Sequence, residues 1–285
     1  MTRYTGAPGS VHATSVFGHA VGTKSMSVNS DAAKAGDNGW RETARLFVQV
    51  LVVVALVRTF FFQPFNIPSG SMKDTLLVGD YLLVSKLSYG YSRYSFTIPF
   101  TGIPIVPFRG RVFGAEPKRG DVVVFKLPRE TDKDFIKRII GLPGDVIFVK
   151  GGVVHINGVP VTKVRDGSYV GPEEVGPIPR YRETLPNGVS YYVLDAEPNG
   201  YFDNTEKYIV PPGHYFVMGD NRDNSVDSRD QSPRRGVGFV PYENLVGRAE
   251  VVFMSVAADD PDVHLTRPWT WPFGFRWQRF FGLVR

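Results

Sequence analysis

The chain has 285 residues, 42% of them hydrophobic, which is enough to bury one large core or two modest ones. Its net charge is +5 and its pI is near 9.3, yet no long Lys/Arg run is present. We therefore expect no nucleic-acid partner and favour a basic surface beside anionic lipid. The absence of cysteine excludes disulfides, cysteine-ligated metals and thiol catalysis.

The N-terminal region divides into a polar tail and an apolar run. Residues 1–39 are rich in Ser, Gly, Ala and Thr without apolar periodicity, so they are predicted to form a disordered tail. Residues 46–62 are almost entirely apolar and are long enough to span a membrane, although Gln49 and Arg58 interrupt the run. The alternative is a buried core helix. A cleavable signal peptide fits poorly, because the run starts far from Met1.

The charges that flank the apolar run predict its orientation. Lys34, Arg41 and Arg45 precede it, whereas Lys73 alone follows closely. Because cations accumulate on the cytoplasmic side, the tail is expected in the cytoplasm and the body outside it. The expected location is therefore the cell membrane, crossed once.

The remainder of the chain is predicted to be β-rich, since short apolar runs alternate with Pro and Gly. Such runs occupy residues 81–84, 121–125, 145–150, 153–156, 215–218 and 246–254. Gly151-Gly152 between two of these runs is typical of a hairpin turn. We expect a mainly β fold: a membrane-anchored, β-rich body of antiparallel sheets with one N-terminal transmembrane helix.

The predicted domain boundaries follow changes in composition. They give a tail at 1–39, an anchor at 40–63, a first part of the β core at 64–162 with an aromatic insertion at 88–118, an inserted polar β/loop subdomain at 163–210, a second part of the core at 211–257, and an aromatic and basic C-terminal tail at 258–285. This last segment is too polar to span a membrane. It would either lie among lipid headgroups or cap the fold.

Two residues could form a catalytic pair. Ser71 lies between small residues just after the predicted span, and Lys137 lies in an apolar, β-prone stretch. A serine nucleophile needs a base, and a desolvated lysine can act as one. In an extended segment Ser69 would point the same way as Ser71 and could donate to an oxyanion. Taken singly, Ser71 also fits an ordinary turn serine. Lys137 taken singly fits a lysine whose stem lies on apolar surface while its charged end is in water.

The segment 219–229 follows a predicted strand and alternates small polar with charged residues. One interpretation is a loop that binds a divalent cation, since its Asp-x-Asp spacing resembles oxygen-rich sites. The other is a rigid polar network that positions neighbouring groups. Arg222 and Arg229 lie among the carboxylates and favour the second interpretation, so no metal is expected.

In chain order, several stretches resemble the bacterial type I signal peptidases, or leader peptidases, which use a Ser/Lys dyad. They are residues 64–72, 79–80, 119–125, 136–138 with 141–145, and 219–229 followed by 238–241 and 246–249. The resemblance covers about residues 43–160 and 211–255. Asp74 stands where the family usually has proline, and the run 230–235 is longer than the family minimum.

The resemblance implies a role for each matching residue. Ser71 would be the nucleophile and Lys137 the general base. Ser69, with the backbone amide of Ser71, would form the oxyanion hole, and Ser225 would orient the lysine amine. The remaining implied roles are structural support from Asp220 with Arg138 and Asp227 with Arg229, and substrate binding by Pro64, Ile67 and Ile136.

The implied function is a membrane-bound serine endopeptidase without cofactors. It would remove N-terminal signal peptides from exported preproteins after small residues at −1 and −3, through an acyl-enzyme. Its partners would be signal peptides and membrane lipid; the sequence predicts no oligomeric state. Two alternatives stay open: a self-cleaving Ser/Lys repressor-type protease, disfavoured by the span, and a membrane-anchored peptide-binding scaffold, disfavoured by the intact Ser71 and Lys137.

Overall fold

The protein is described by a computed structural model. It covers residues 31–96, 106–108, 110–171, 174–257, 269 and 274–285, with the backbone alone for 31–38. The predicted tail up to residue 30, residues 97–105 and 109 of the aromatic insertion, and residues 258–268 and 270–273 of the C-terminal tail lie outside the described residues.

The N-terminal helix α1 spans Asp31–Phe60 and begins ahead of the predicted boundary at residue 40. The most apolar 18-residue window of its stretch Gly39–Phe60 has a mean hydropathy of 1.8, and none of that window is buried. A core helix would be covered by protein, so this exposure among the described residues disfavours the buried-helix alternative, and length and composition suit a membrane span. Contacts divide the chain within α1 into two units, Met1–Leu51 and Val52–Arg285. All the sheets belong to the second unit.

The strands of the second unit pair in antiparallel fashion. They are β1 Phe62–Asn66, β2 Asp80–Ser85, β3 Tyr91–Ser92, β4 Arg111–Val112, β5 Val122–Leu127, β6 Glu130–Gly141, β7 Val146–Lys150, β8 Val153–Ile156, β9 Val159–Pro160, β10 Thr162–Tyr169, β11 Ile178–Thr184, β12 Ser190–Leu194, β13 Tyr208–Ile209, β14 His214–Met218, β15 Val240–Pro241, β16 Leu245–Ser255 and β17 Gly282–Leu283. The predicted mainly β class is confirmed, and each predicted strand is present.

The β7–β8 hairpin forms where the sequence predicts it. Gly151 and Gly152 have φ of 54° and 71°, and Lys150 pairs with Val153 across the turn. Glycine adopts positive φ angles at no steric cost, which explains why the chain can reverse at this point.

The largest sheet has the order β1-β2-β16-β5-β6-β14-β15, with β17 beside β16. Its strand β5 is buried on both faces. Val122 and Val124 pack into one apolar cluster, whereas Val123 and Phe125 pack into another. Burying side chains of this size contributes about 1.5–3 kcal/mol each. The result is a rigid sheet on which β6 can hold catalytic groups.

Two strand edges of this sheet are free over part of their length. The strand β1 is the outermost strand on its side. The strand β6 pairs with β14 only through residues 138–141, so no described strand covers that edge of residues 130–137. These two edges lie beside the segments that carry Ser71 and Lys137.

A separate three-stranded sheet, β10-β11-β12, lies within the predicted polar subdomain at 163–210. Its regular pairing was not evident from sequence, because Arg and Lys alternate with Tyr instead of apolar residues. Arg180 and Arg182 lie over the ring of Tyr192 on its outer surface. Tyr191 and Val193 face inward and join an apolar cluster.

Candidate active site

Ser71 lies on a short 3-10 helix, Gly70–Met72, directly after the extended residue Ser69. The chain is therefore not extended through Ser71, and the condition under which Ser69 would point the same way as Ser71 is not met. Residues 219–229, called the polar loop below, hold this turn. Asn221 donates its backbone N–H to the carbonyl oxygen of Ser71 at 3.1 Å, and its side-chain amide donates to the carbonyl oxygen of Gly70 at 3.1 Å. Met72 is fully buried beneath the turn. The serine is thus held on a rigid support.

Lys137 reaches Ser71 from β6. Its Nζ lies 2.7 Å from Ser71 Oγ and 2.8 Å from the carbonyl oxygen of Ile136. Its side chain is buried, and this burial is the main reason that the pKa of Lys137 falls from 10.5 to about 8. Asp227 and Asp220 oppose the decrease, whereas Arg229 adds to it. A neutral amine that can accept the serine proton is therefore accessible near neutral pH.

Ser225 lies beside this pair without bonding to it. Its Oγ is buried and has no hydrogen-bond partner among the described residues, so the implied bond to Lys137 is not formed in this structure. A Cβ on Gly219 would collide with Ser225 Oγ and with the carbonyl oxygen of Ser71. Ser225 and the Ser71 backbone therefore approach the same point, which only a glycine at 219 leaves open.

The polar loop is held together by buried ion pairs. Arg138 donates to both oxygens of Asp220, at 2.9 and 2.7 Å, and Arg229 donates to both oxygens of Asp227, at 2.9 and 2.8 Å. Burial alone would raise the pKa of Asp227, but Arg229 and two backbone N–H groups hold that pKa below its usual value. The carboxylates of Asp220 and Asp227 thus bind arginines, as the polar-network interpretation predicts.

Sequence reasoning missed a second layer of this network. Glu183, on β11, forms a buried ion pair with Arg222 and accepts a hydrogen bond from Tyr191 at 2.9 Å. The Tyr191 ring lies 4.0 Å from the guanidinium of Arg138. Thr75 donates to Asp220 at 2.6 Å. No local motif marks Glu183, since its partner lies 39 residues further along the chain.

A cleft of about 590 Å³ opens beside the Ser71–Lys137 pair. It runs along the two free strand edges and is mainly apolar. Its lining is Phe65, Asn66, Ile67, Pro68, Ser69, Gly70, Ser71, Val124, Asp134, Phe135, Ile136, Lys137, Asn224 and Val226. Ile67 and Ile136 thus lie where the sequence places them, whereas Pro64 on β1 is not part of the lining.

Comparison with known proteins gives the family. Residues 40–254 match the family described as signal peptidase, peptidase S26. The chain belongs to this family. Signal peptidase I from Rickettsia typhi is 40% identical over 234 residues, which cover 80% of this chain and 85% of the relative. Signal peptidase I from Rickettsia conorii is 41% identical over 215 residues, which cover 73% and 77%.

Among solved structures, a signal peptidase I from Enterococcus faecalis is 28% identical and covers 47% of this chain and 97% of its own, with a TM-score of 0.28. The fold assignment here rests on the sheets themselves. As a signal peptidase, the chain is a serine peptidase that acts on the signal peptides of preproteins. Family membership disfavours both the repressor-type protease and the non-catalytic scaffold.

Proposed function

We propose that this signal peptidase cleaves by Ser/Lys acyl-enzyme chemistry. The observation that best supports this mechanism is the 2.7 Å contact between Ser71 Oγ and the buried Lys137 Nζ. Ser71 Oγ attacks the scissile carbonyl carbon while its proton passes to Lys137 Nζ. The lysine then gives this proton to the departing amine, which leaves Ser71 esterified. In the second half, water loses a proton to Lys137 and attacks the ester, and the proton returns to Ser71.

The developing oxyanion is stabilised by two donors, the Ser69 hydroxyl and the Ser71 backbone amide. Ser69 is exposed and lines the cleft, where it can turn toward a bound carbonyl. Because these donors lie beside the position where charge develops, they stabilise the transition state more than the substrate.

Ser225 orients the lysine amine during this cycle. The support for this role is its buried, unpartnered hydroxyl next to the Ser71 turn, since a buried polar group without a partner is uncommon in a folded protein. When Lys137 gives up its contact with Ser71, its Nζ donates a replacement hydrogen bond to the Ser225 hydroxyl oxygen.

The substrate binds as an added strand between the free edges of β1 and β6. Main-chain hydrogen bonds set its register, and alternate side chains face the same way. Side chains at −1 and −3 then point at a wall formed by Ile67 and Ile136. This shallow wall admits Ala or similarly small residues at both positions. Pro64 lies on β1, beyond the cleft lining, and contacts the peptide farther from the scissile bond.

The helix α1 anchors the enzyme in the cell membrane with its N-terminus in the cytoplasm and the β body outside. This arrangement brings the cleft to the surface where an exported preprotein emerges. Large exposed apolar side chains on the body, including Phe113, Trp277 and Phe281, are suited to contact lipid headgroups.

A preprotein assay in detergent tests this function. The wild-type chain should cut a preprotein with Ala at −1 and −3, and Ser71→Ala should abolish cleavage without changing the melting temperature. Substitution of either substrate alanine by Phe should block cleavage. Equal cleavage of the Phe substrates would contradict the small-residue specificity, and normal turnover by Ser71→Ala would contradict the mechanism.

A further inference from the structure

Asp134 is the acidic residue of the cleft. Among the described residues that line it, only Asp134 and Lys137 carry ionisable side chains, and the proposed mechanism uses Lys137 alone. Asp134 lies on β6 three residues before Lys137, in the stretch whose edge no described strand covers. The cleft is mainly apolar, so the presence of a carboxylate at its edge requires a physical explanation.

Lys126 holds this carboxylate in place. Its Nζ donates to Asp134 Oδ2 at 3.0 Å, from a position directly opposite on β5. The lysine side chain is only 6% exposed, whereas that of Asp134 is 32% exposed. Asp134 Oδ1 has no hydrogen-bond partner among the described residues. The pair thus has a buried basic end and an acceptor oxygen that is accessible from the cleft.

The strand geometry identifies the substrate residue that meets this oxygen. Asp134 and Ile136 are two residues apart on β6, so their side chains share a face and lie about 6.5–7 Å apart along the strand. A peptide strand alongside has the same spacing between alternate side chains. If the −3 side chain faces Ile136, the −5 side chain faces Asp134. This step rests on the substrate-binding mode proposed above.

We propose that Asp134, positioned by Lys126, is a specificity-determining residue for the −5 position of the signal peptide. It favours a side chain there that donates a hydrogen bond, above all a cation such as Lys, and disfavours a carboxylate. The alternative is a purely structural role, in which Asp134 only neutralises the charge of the buried Lys126. The two differ in what they predict for substrates, because a purely structural ion pair is indifferent to the residue at −5.

Two peptides that differ only at −5, Lys against Glu, provide the test with the full-length enzyme in detergent. Wild type should show a kcat/KM ratio of about five in favour of Lys, the size expected for a partly exposed charge contact. The ratio should decrease as salt is added, because salt screens such contacts. The same exchange at −4, which faces the other way, should leave kcat/KM unchanged.

Asp134→Asn is the matched variant, because an amide oxygen can still accept from Lys126 while the negative charge is lost. For this variant, the ratio of kcat/KM for the Lys peptide to kcat/KM for the Glu peptide should fall to about one. Both peptides are measured with the same enzyme, so a general loss of activity lowers both kcat/KM values equally and leaves their ratio unchanged. Asp166→Asn, which removes an acidic partner of Arg182 on the β10-β11-β12 sheet, is the control and should keep the wild-type ratio.

The outcomes separate this inference from the proposed function. Cleavage of both peptides at equal rates by wild type, or an unchanged ratio in Asp134→Asn, would overturn the role of Asp134 and leave the peptidase assignment intact. Failure of wild type to cut either peptide, or a preprotein with Ala at −1 and −3, would contradict the proposed function itself.

Discussion

Arg138 and Asp220 form a bidentate ion pair in which neither side chain is more than 1% exposed to solvent. Arg138 is the residue after Lys137 on β6, and Asp220 opens the loop that holds the Ser71 turn. One contact therefore joins the two segments that carry Ser71 and Lys137, which are 66 residues apart in the chain.

Arg138→Met should destabilise the fold and abolish cleavage. Removal of one partner leaves the carboxylate of Asp220 buried and unpaired, which costs about 3–5 kcal/mol. Urea denaturation measures the loss. The control Lys133→Gln removes one exposed ion pair with Glu130 on the same strand and should leave the unfolding midpoint nearly unchanged. Equal midpoints for the two variants would argue against the structural role.

The rate of cleavage should rise with pH through a value near 8, the lowered pKa of Lys137. Below that pH the amine is protonated and cannot act as a base; above it the amine is neutral, so the rate levels off. The kcat/KM profile of a peptide substrate gives this value. A profile that rises only near 10.5, the ordinary lysine pKa, would mean that the amine is not desolvated in the free enzyme. Lys137→Arg should be inactive, because guanidinium does not lose its proton in proteins.

Ser69→Ala should lower kcat by about 100- to 1,000-fold, the usual effect of removing one oxyanion-hole donor. The substitution removes one exposed hydroxyl, so the melting temperature should not change. Steady-state kinetics on a peptide substrate provide the measurement. A kcat within threefold of wild type would leave Ser69 with a role in the turn alone.

Ser225→Ala should reduce kcat by about 10- to 100-fold, the equivalent of one hydrogen bond to a charged group. Its stability should hardly change, because the hydroxyl has no hydrogen-bond partner among the residues that the structure describes. Ser225→Thr keeps the hydroxyl and provides the comparison. If the alanine variant turns over at the wild-type rate, Ser225 serves only to fill space beside Gly219.

Protease added outside spheroplasts should digest the body and spare the N-terminal tail. The expectation follows from Arg41 and Arg45 before the apolar stretch of α1. An epitope tag at each end, followed by blotting, measures protection. A protected C-terminal tag in intact spheroplasts, digested only after detergent is added, would reverse the proposed topology.

The sequence predicted those parts of the fold that have a local signature. The strands β2, β5 and β14 are apolar runs between turn residues, and Lys137 lies in such a run. The Ser71 turn could not be predicted, because its shape depends on hydrogen bonds from Asn221, far along the chain. The ion pair of Glu183 and Arg222 could not be predicted for the same reason, because the two residues are far apart in the chain. Long-range polar contacts leave no periodic pattern.

If the substrate binds as a strand added between the free edges of β1 and β6, as proposed above, these edges impose a requirement on its conformation. A gap that takes one added strand is about 9.5 Å from edge to edge, since neighbouring strands lie about 4.8 Å apart. A helix with its side chains is about 10–12 Å wide and also offers no free backbone groups to pair with either edge. Only an unfolded, extended stretch of chain can therefore enter. In that binding mode, a folded domain that presents Ala at the same spacing would be protected by its own secondary structure, so the enzyme would select unfolded segments as well as particular residues.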